Sequence, residues 1–218
     1  MPVKPKPAST VILMDEVNHN VYLTKRPDTM KFLGGFYVFP GGAVEKEDNP
    51  SNEWSYRKNE YEHFPPAHYI AAARELFEEV GVLLVKEKGP FVFHHHSKDE
   101  YRQLLVKSEI SFLDMLEQER LQFDLSSLQY FGHRITPESS PIRFDTRFFI
   151  ANLPKGQTPD PDWNEIDYAV WSSPQEALEK NQQGLLAMVS PTITSLETIV
   201  GYFNGGPLIM PRQENQRE

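Results

Sequence analysis

The sequence predicts an α+β fold, a sheet covered by helices, and three observations carry the prediction. Strand-like and helix-like segments follow one another without regular alternation, which suggests helices layered on a sheet. Residues 66–80 carry an apolar stripe of Ala72, Ala73, Leu76, Phe77 and Val80, suited to burial against a sheet. The length of 218 residues fits one domain, with no internal repeat and no long low-complexity tract.

The elements follow in order. Ser9 to Met14 and Val21 to Arg26 read as two strands joined by the turn-forming Asn18-His19-Asn20. Gly34 to Phe39 leads into Phe39-Pro40-Gly41-Gly42, a tight-turn signal. Pro66 to Val80 reads as a helix, with proline tolerated in its first turn and Gly81 just past its end. Gly81 to Val85 is expected as a short buried strand. Residues 97–119 show helical patterning, with Tyr101, Leu104 and Leu105, then Phe112, Leu113 and Leu116. Leu128 to Ile135 and Arg143 to Ala151 are strand-like, separated by a turn-rich segment from Thr136 to Pro141. Tyr168 to Trp171 is a further strand, and Pro174 to Lys180 and Thr192 to Tyr202 are helices.

The chemistry concentrates in residues 74–82, Arg-Glu-Leu-Phe-Glu-Glu-Val-Gly-Val. Glu75, Glu78 and Glu79 stand at helical spacings of three and four, on one face. Glu78 and Glu79 sit near the negative end of the helix dipole, which disfavours each carboxylate by about 0.3–1 kcal/mol. A hard divalent cation would offset that cost, since Mg²⁺ takes carboxylate ligands and keeps waters for phosphates. Taken alone, an acidic helix face is more often solvated surface. The glycine pair upstream shifts the balance, because a strand, a glycine turn and an acidic helix can bring carbonyls and carboxylates together.

These residues resemble the signature of the Nudix hydrolases, Gly-x5-Glu-x7-Arg-Glu-U-x-Glu-Glu-x-Gly-U, with U bulky and apolar. Gly42 matches the opening glycine, and Arg74 to Val82 match the closing nine positions. Asp48 stands where the pattern has glutamate, and residues 49–73 separate it from Arg74 where the pattern has seven positions. The resemblance implies a Nudix-type α/β/α sandwich with a mixed sheet, filling residues 1–218 as a single domain. A box insertion is expected at about 49–65 and a helical insertion at about 97–119. The insertion is expected to detach Asp48 from the helix, which implies a structural or minor role for it.

The resemblance further implies hydrolysis of a diphosphate linkage with Mg²⁺ or Mn²⁺ as cofactor. Glu75, Glu78, Glu79 and the carbonyl of Gly41 are the implied metal ligands. Arg74 is expected to orient Glu78 by an ion pair. The family often places a glutamate ahead of a tryptophan in a later loop, which Glu165 and Trp171 match, with an exposed loop acid as the alternative. Glu75 and Glu165 both stand as candidates for the general base.

A second pattern runs from Leu23-Thr24-Lys25-Arg26-Pro27 through Lys31 and Gly35 to Phe39-Pro40-Gly41-Gly42. It is similar to the segment Leu-Leu-Thr-x-Arg-(Ser/Ala)-x3-Arg-x3-Gly-x3-Phe-Pro-Gly-Gly of coenzyme A diphosphatases. Tyr22, Pro27 and Lys31 depart from it, and lysine lacks the bidentate fork of arginine. The long insertion with Trp54, and the run Pro141 to Phe148, resemble the subgroup of the mammalian peroxisomal enzyme. Arg26, Lys31, Arg143 and Arg147 are therefore candidates for binding a diphosphate or a 3′-phosphate. Singly, each is more often an ordinary surface cation. The implied reaction cleaves coenzyme A or an acyl derivative to 3′,5′-ADP and (acyl-)4′-phosphopantetheine. ADP-ribose, nucleotide sugars, dinucleoside polyphosphates, an RNA 5′ end or a binding-only module are the alternatives. Retention of all three helix glutamates argues against the last.

Composition sets bounds. The absence of cysteine excludes disulfides and thiolate chemistry. A net charge of −9 argues against non-specific nucleic-acid binding, which depends on cationic neutralisation of phosphates. His94-His95-His96 reads as a surface loop, since adjacent histidines point apart and seldom share an ion. The run Val11 to Met14 is too short for a signal sequence, no segment spans a membrane, and Gln-Arg-Glu at the end is unlike the peroxisomal tripeptide. A cytoplasmic enzyme acting on a small diphosphate substrate is the expectation, with no oligomeric state implied.

Overall fold

A computed structural model describes residues 3–50, 56–57, 65–86 and 93–213. Trp54 and most of the stretch 49–65 lie outside the described residues.

Strand β1 (Lys6–Asp15) is the axis of the molecule. Its side chains alternate between two cores, Val11 and Leu13 facing one and Ile12 and Met14 the other, and all four are buried. Burial on both faces is what such a continuous apolar run requires. Asp15 then turns the chain by accepting from the backbone amides of Val17 and Asn18, and His19 takes the left-handed conformation at φ 52°. Strand β2 (Asn20–Lys25) returns antiparallel to β1.

Strands β3 (Tyr37–Val38) and β4 (Gly41–Ala43) follow, β3 pairing with β2 and β4 with β1. The glycine pair thus lies in a strand, and the tight turn expected there is corrected. Gly41 stands opposite Thr10 and Gly42 opposite Ser9. A short strand, β5 (Tyr56–Arg57), pairs in parallel with β6 (Phe123–Asp124).

Helix α1 (Pro66–Val80) has the expected bounds. Pro66 opens it, and Gly81 closes it at φ 67° with its amide on the Phe77 carbonyl. The buried strand expected over residues 81–85 is replaced by irregular chain with one bridge, Val85 to Phe123. Val82, Leu83 and Leu84 are buried as expected. The physical reason is Gln157, whose side-chain amide accepts from Leu83 N at 2.8 Å and donates to Leu83 O at 2.7 Å, doing the work of a neighbouring strand.

Helices α2 (Lys98–Val106) and α3 (Phe112–Gln118) occupy the stretch read as helical. Ser97 caps α2 in a reciprocal box with Glu100, and Ser111 caps α3. Strands β7 (Gln129–Ile135) and β8 (Phe144–Asn152) form an antiparallel pair, with β8 parallel to β1 over its whole length. Strand β9 (Tyr168–Ser172) pairs with β2. Helices α4 (Pro174–Gln182) and α5 (Ser190–Phe203) end the fold.

The main sheet runs β3-β2-β1-β8-β7, with β4 also on β1 and β9 also on β2. One parallel pair among antiparallel ones makes it mixed. Helices α1, α2 and α3 pack with Val11, Leu13, Phe149 and Ala151 on one face. Helices α4 and α5 pack with Ile12, Leu23, Phe131 and Ile150 on the other. The result is an α/β/α sandwich, with the acidic face of α1 laid against β4. Among the described residues no helix is long and apolar enough to cross a membrane.

Candidate active site

The site is built where α1 crosses β4. The glycines permit the approach: a Cβ on Gly42 would lie 2.3 Å from Glu75 Oε1, and one on Gly41 would lie 2.4 Å from the Ser9 carbonyl oxygen. Their lack of a side chain therefore serves close packing of strand on strand and of strand on carboxylate.

Arg74 is the hub. Its Nε and Nη2 donate to the two carboxylate oxygens of Asp48 at 2.9 and 3.1 Å, and Nη2 donates also to the Ala43 carbonyl at 2.9 Å. Its Nη1 donates to Glu75 Oε1 at 2.9 Å and Glu78 Oε2 at 3.0 Å. Burial pulls the guanidinium pKa down, but the Asp48 hydrogen bond and the charges of Glu75, Asp48 and Glu78 carry it above its usual value. Asp48 itself is buried at the end of a 3₁₀ turn (Lys46–Asp48), with Oδ2 accepting from the Glu45 amide at 2.7 Å. The expectation that the insertion detaches Asp48 is thereby corrected, because the chain returns it to Arg74.

The three glutamates of α1 are held at different cost. Burial lifts Glu75 to about 7, with Arg74 opposing and Asp48 and Glu165 adding to the rise. Burial lifts Glu78 to about 8, again opposed by Arg74. Glu79 is raised well above the usual carboxylate range, by burial first and then by Glu75 and Glu165, while Arg26 and the Gly41 amide oppose. The Gly41 amide donates to Glu79 Oε2 at 3.3 Å.

Glu165 rides on a turn seeded by Asp162. The Asp162 carboxylate accepts from Asn164 N at 3.0 Å and Asn164 Nδ2 at 2.7 Å, and its carbonyl accepts from Glu165 N and Ile166 N. Glu165 is raised by burial and by Asp162, with Arg26 and Arg102 opposing. Glu75 and Glu165 both raise Glu79, and Arg26 opposes the rise at Glu79 and at Glu165, so Glu79 has these three as its electrostatic neighbourhood.

The remaining cations divide. Arg26 joins this neighbourhood, with Nε donating to the Phe32 carbonyl at 3.1 Å. Lys31 is exposed on the loop that follows. Arg143 is buried and donates to the carbonyls of Thr136 at 3.0 Å and Val3 at 2.7 Å, which ties it to the N-terminal segment. Arg147 stands opposite Ser9 on β8 and pairs with Asp145, which also meets His133. The exposed His94 and His95 give their backbone amides to the buried carboxylate of Glu119 at 2.6 and 2.8 Å.

Sequence reasoning missed Arg102. It is buried on α2, donates Nε to the Glu78 carbonyl at 2.9 Å, and lies 3.6 Å from Asp160. The signal was present in the i, i+4 cations Lys98 and Arg102.

Among the described residues no three carboxyl or imidazole groups are gathered as a metal cage. Glu75 and Glu78 are turned to Arg74, and Glu79 to the Gly41 amide. The donor chemistry fits a hard divalent cation, being all oxygen. The raised pKa values mark uncompensated buried negative charge, which such a cation would lower.

A mixed-sheet sandwich with an acidic helix packed on a glycine strand is the Nudix arrangement, and solved structures agree. A Nudix hydrolase from Alicyclobacillus acidocaldarius superposes with a TM-score of 0.80 at 30% identity, over 96% of this chain and 99% of that one. A MutT Nudix hydrolase from Burkholderia pseudomallei shares the fold at a TM-score of 0.51 and 12% identity, over 89% and 98%. A family model described as the NUDT19 Nudix domain matches residues 64–199. The chain belongs to the Nudix hydrolase superfamily, in the family of that domain. Curated relatives include nudix hydrolase 7 of Caenorhabditis elegans, 28% identical over 189 residues, and acyl-coenzyme A diphosphatase NUDT19 of Xenopus laevis, 26% identical over 208 residues. The alignments cover 87% and 74% of this chain but only 58% and 54% of those proteins, so the chain spans little more than half their length.

Proposed function

We propose that the protein hydrolyses the diphosphate of coenzyme A or an acyl-coenzyme A, giving 3′,5′-ADP and (acyl-)4′-phosphopantetheine, with Mg²⁺ or Mn²⁺ bound at the α1 glutamates. The observation that carries the reading is the packing of the Glu75 and Glu79 carboxylates against the glycines of β4, where burial and the charge of Glu165 disfavour their ionisation. Glu75, Glu78, Glu79 and the Gly41 carbonyl are the residues that would hold the cation. When bound, the cation would neutralise diphosphate charge and lower the pKa of water.

The chain's own residues do the rest. Arg74 fixes Glu75 and Glu78 and is itself fixed by Asp48, so it acts on the carboxylates and not on substrate. If Glu75 and Glu79 hold the cation, Glu165 would be the carboxylate free to take the proton of the attacking water. Arg26 and Lys31 are the cations we assign to substrate phosphates, since Arg143 is engaged by carbonyls and Arg147 by Asp145. The coenzyme A assignment draws support from the segment Leu23 to Gly42 and from the name of the Xenopus laevis relative.

The test is mass-spectrometric product analysis on coenzyme A, dephospho-coenzyme A, ADP-ribose and a dinucleoside polyphosphate, with Mg²⁺ and with Mn²⁺. A contact to the 3′-phosphate worth about 1.5–3 kcal/mol makes dephospho-coenzyme A poorer by roughly ten- to a hundredfold in kcat/KM. Equal turnover of the two, or faster turnover of ADP-ribose, would overturn the coenzyme A reading.

A further inference from the structure

The last carbonyls of a helix have no partner within it. In α1 they are satisfied from outside by two elements distant in sequence. The Glu78 carbonyl accepts from Arg102 Nε at 2.9 Å, the Glu79 carbonyl from Asp162 N at 2.8 Å, and the Val80 carbonyl from Asp160 N at 2.8 Å. The loop that carries Glu165 is thus hydrogen-bonded directly to the helix that carries Glu75 and Glu79.

Helix α2 secures that loop. Lys98 Nζ lies 2.5 Å from Asp160 Oδ2, and Arg102 Nη1 lies 3.6 Å from the same oxygen. A carboxylate at the negative end of α1 would otherwise be repelled, and two cations from α2 reverse the sign of that interaction. From Asp162 the Asx turn leads to Glu165 with few free torsions. Arg102 Nη2 is buried and has no hydrogen-bond partner among the described residues. The charge of Arg102 is felt at Glu165.

We propose that Arg102 is a positioning residue: with Lys98 and Asp160 it clamps the Glu165 loop to the C-terminus of α1, and so sets the place of Glu165 relative to Glu75 and Glu79. The role rests on the diphosphate-hydrolase reading of that site. It requires the planar fork of arginine, because Nε serves the Glu78 carbonyl while Nη1 faces Asp160, and a single ammonium cannot do both.

The experiment compares Arg102→Met, Arg102→Lys and Tyr101→Phe. Tyr101 lies beside Arg102 on α2 but donates to Glu119 at 2.6 Å, so Tyr101→Phe loosens α2 without touching the loop. Steady-state kinetics with Mg²⁺ and amide hydrogen exchange are measured below each variant's Tm. Arg102→Met should lose on the order of ten- to a hundredfold in kcat with KM changed less than about threefold, as a misplaced catalytic group would. Arg102→Lys should recover part of the rate, and stands in if Arg102→Met does not fold. Tyr101→Phe should lower Tm and leave kcat unchanged. Exchange at the Asp160 and Asp162 amides should accelerate in the Arg102 variants and not in Tyr101→Phe. Wild-type kcat in Arg102→Met, a matching loss in Tyr101→Phe, or unchanged exchange at the two amides would overturn the proposal. If the wild type cleaves no diphosphate substrate, the functional reading fails, and the exchange measurement alone decides the clamp.

Discussion

Gly42→Ala isolates the position of one carboxylate from the stability of the fold. The added Cβ would lie 2.3, 2.6 and 2.7 Å from Glu75 Oε1, Cδ and Oε2. Ordinary contact begins near 3.5 Å, so the carboxyl group must move by roughly 1 Å. It is the far end of a flexible side chain, so the fold can accommodate the move. Leaving its rotamer costs about 0.5–1.5 kcal/mol, and weakening the bond from Arg74 costs about 1 kcal/mol more. A shift of Tm of only a few degrees is therefore expected for a chain of this size. Catalysis is less forgiving, because a misplacement of about 1 Å can cost on the order of a hundredfold in rate. Gly41→Ala provides the contrast. Its Cβ would meet backbone, the Ser9 carbonyl oxygen at 2.4 Å and Thr10 Cα at 2.7 Å, which cannot swing aside, so that variant should lose stability or fail to fold. The assay pairs thermal unfolding with steady-state cleavage of coenzyme A in Mg²⁺. A folded Gly42→Ala protein with wild-type kcat would refute the reasoning, since Glu75 would then be either mobile in the working enzyme or irrelevant to it.

The other predictions are shorter. Glu79→Gln should abolish most turnover at saturating Mg²⁺ and raise the Tm of the metal-free protein, because it removes a buried charge repelled by Glu75 and Glu165; undiminished activity would sink its assignment as a ligand. Asp48→Asn keeps one acceptor for Arg74 but loses the charge of a buried bidentate pair, so a loss of about 1–3 kcal/mol is expected by chemical denaturation. Its kcat should fall by under about tenfold, with a larger fall showing that Arg74 is displaced from both glutamates. Glu119 supplies a pH signature away from the site. Burial would raise its pKa, but hydrogen bonds from Tyr101 and from the His94 and His95 amides bring it down to about 2. A carboxylate depressed in the folded state contributes stability that is complete above its unfolded pKa and is lost as pH falls through the folded one. Wild type should therefore lose stability between about pH 4.5 and 2, and Glu119→Gln should lose less of it over that window, as urea titrations would measure.

Much of the fold was legible because local chemistry and tertiary packing agreed. Pro66, the apolar stripe and Gly81 bound α1 in the sequence and bound it in the structure. The failures share a cause, a contact made by something remote along the chain. Val82 to Leu84 has the burial of a strand, but a glutamine side chain far along the chain supplies the ladder. Phe39-Pro40-Gly41-Gly42 has the letters of a turn, yet the glycines are there because Ser9, Thr10 and Glu75 leave no room for Cβ. Asp48 was judged by its distance along the chain, whereas the entropy of closing a loop grows only with the logarithm of its length. A longer excursion could therefore return Asp48 to Arg74 at little added cost.

The acidic helix end shows where the sequence was informative and where it stopped. Spacing alone identified Glu75, Glu78 and Glu79 as one face, and dipole reasoning marked Glu78 and Glu79 as unfavourably placed. In the structure each of the last three carbonyls of α1 accepts a hydrogen bond, from Arg102, Asp162 and Asp160, so donors sit where the helix is most negative. The capping that stabilises this end also joins the two walls of the site, because the donors belong to α2 and to the loop of Glu165. A contact of that kind has no local periodicity to announce it. Only the Lys98 and Arg102 spacing on α2 hinted at it, and their acceptors lie twenty or more residues upstream and some sixty downstream.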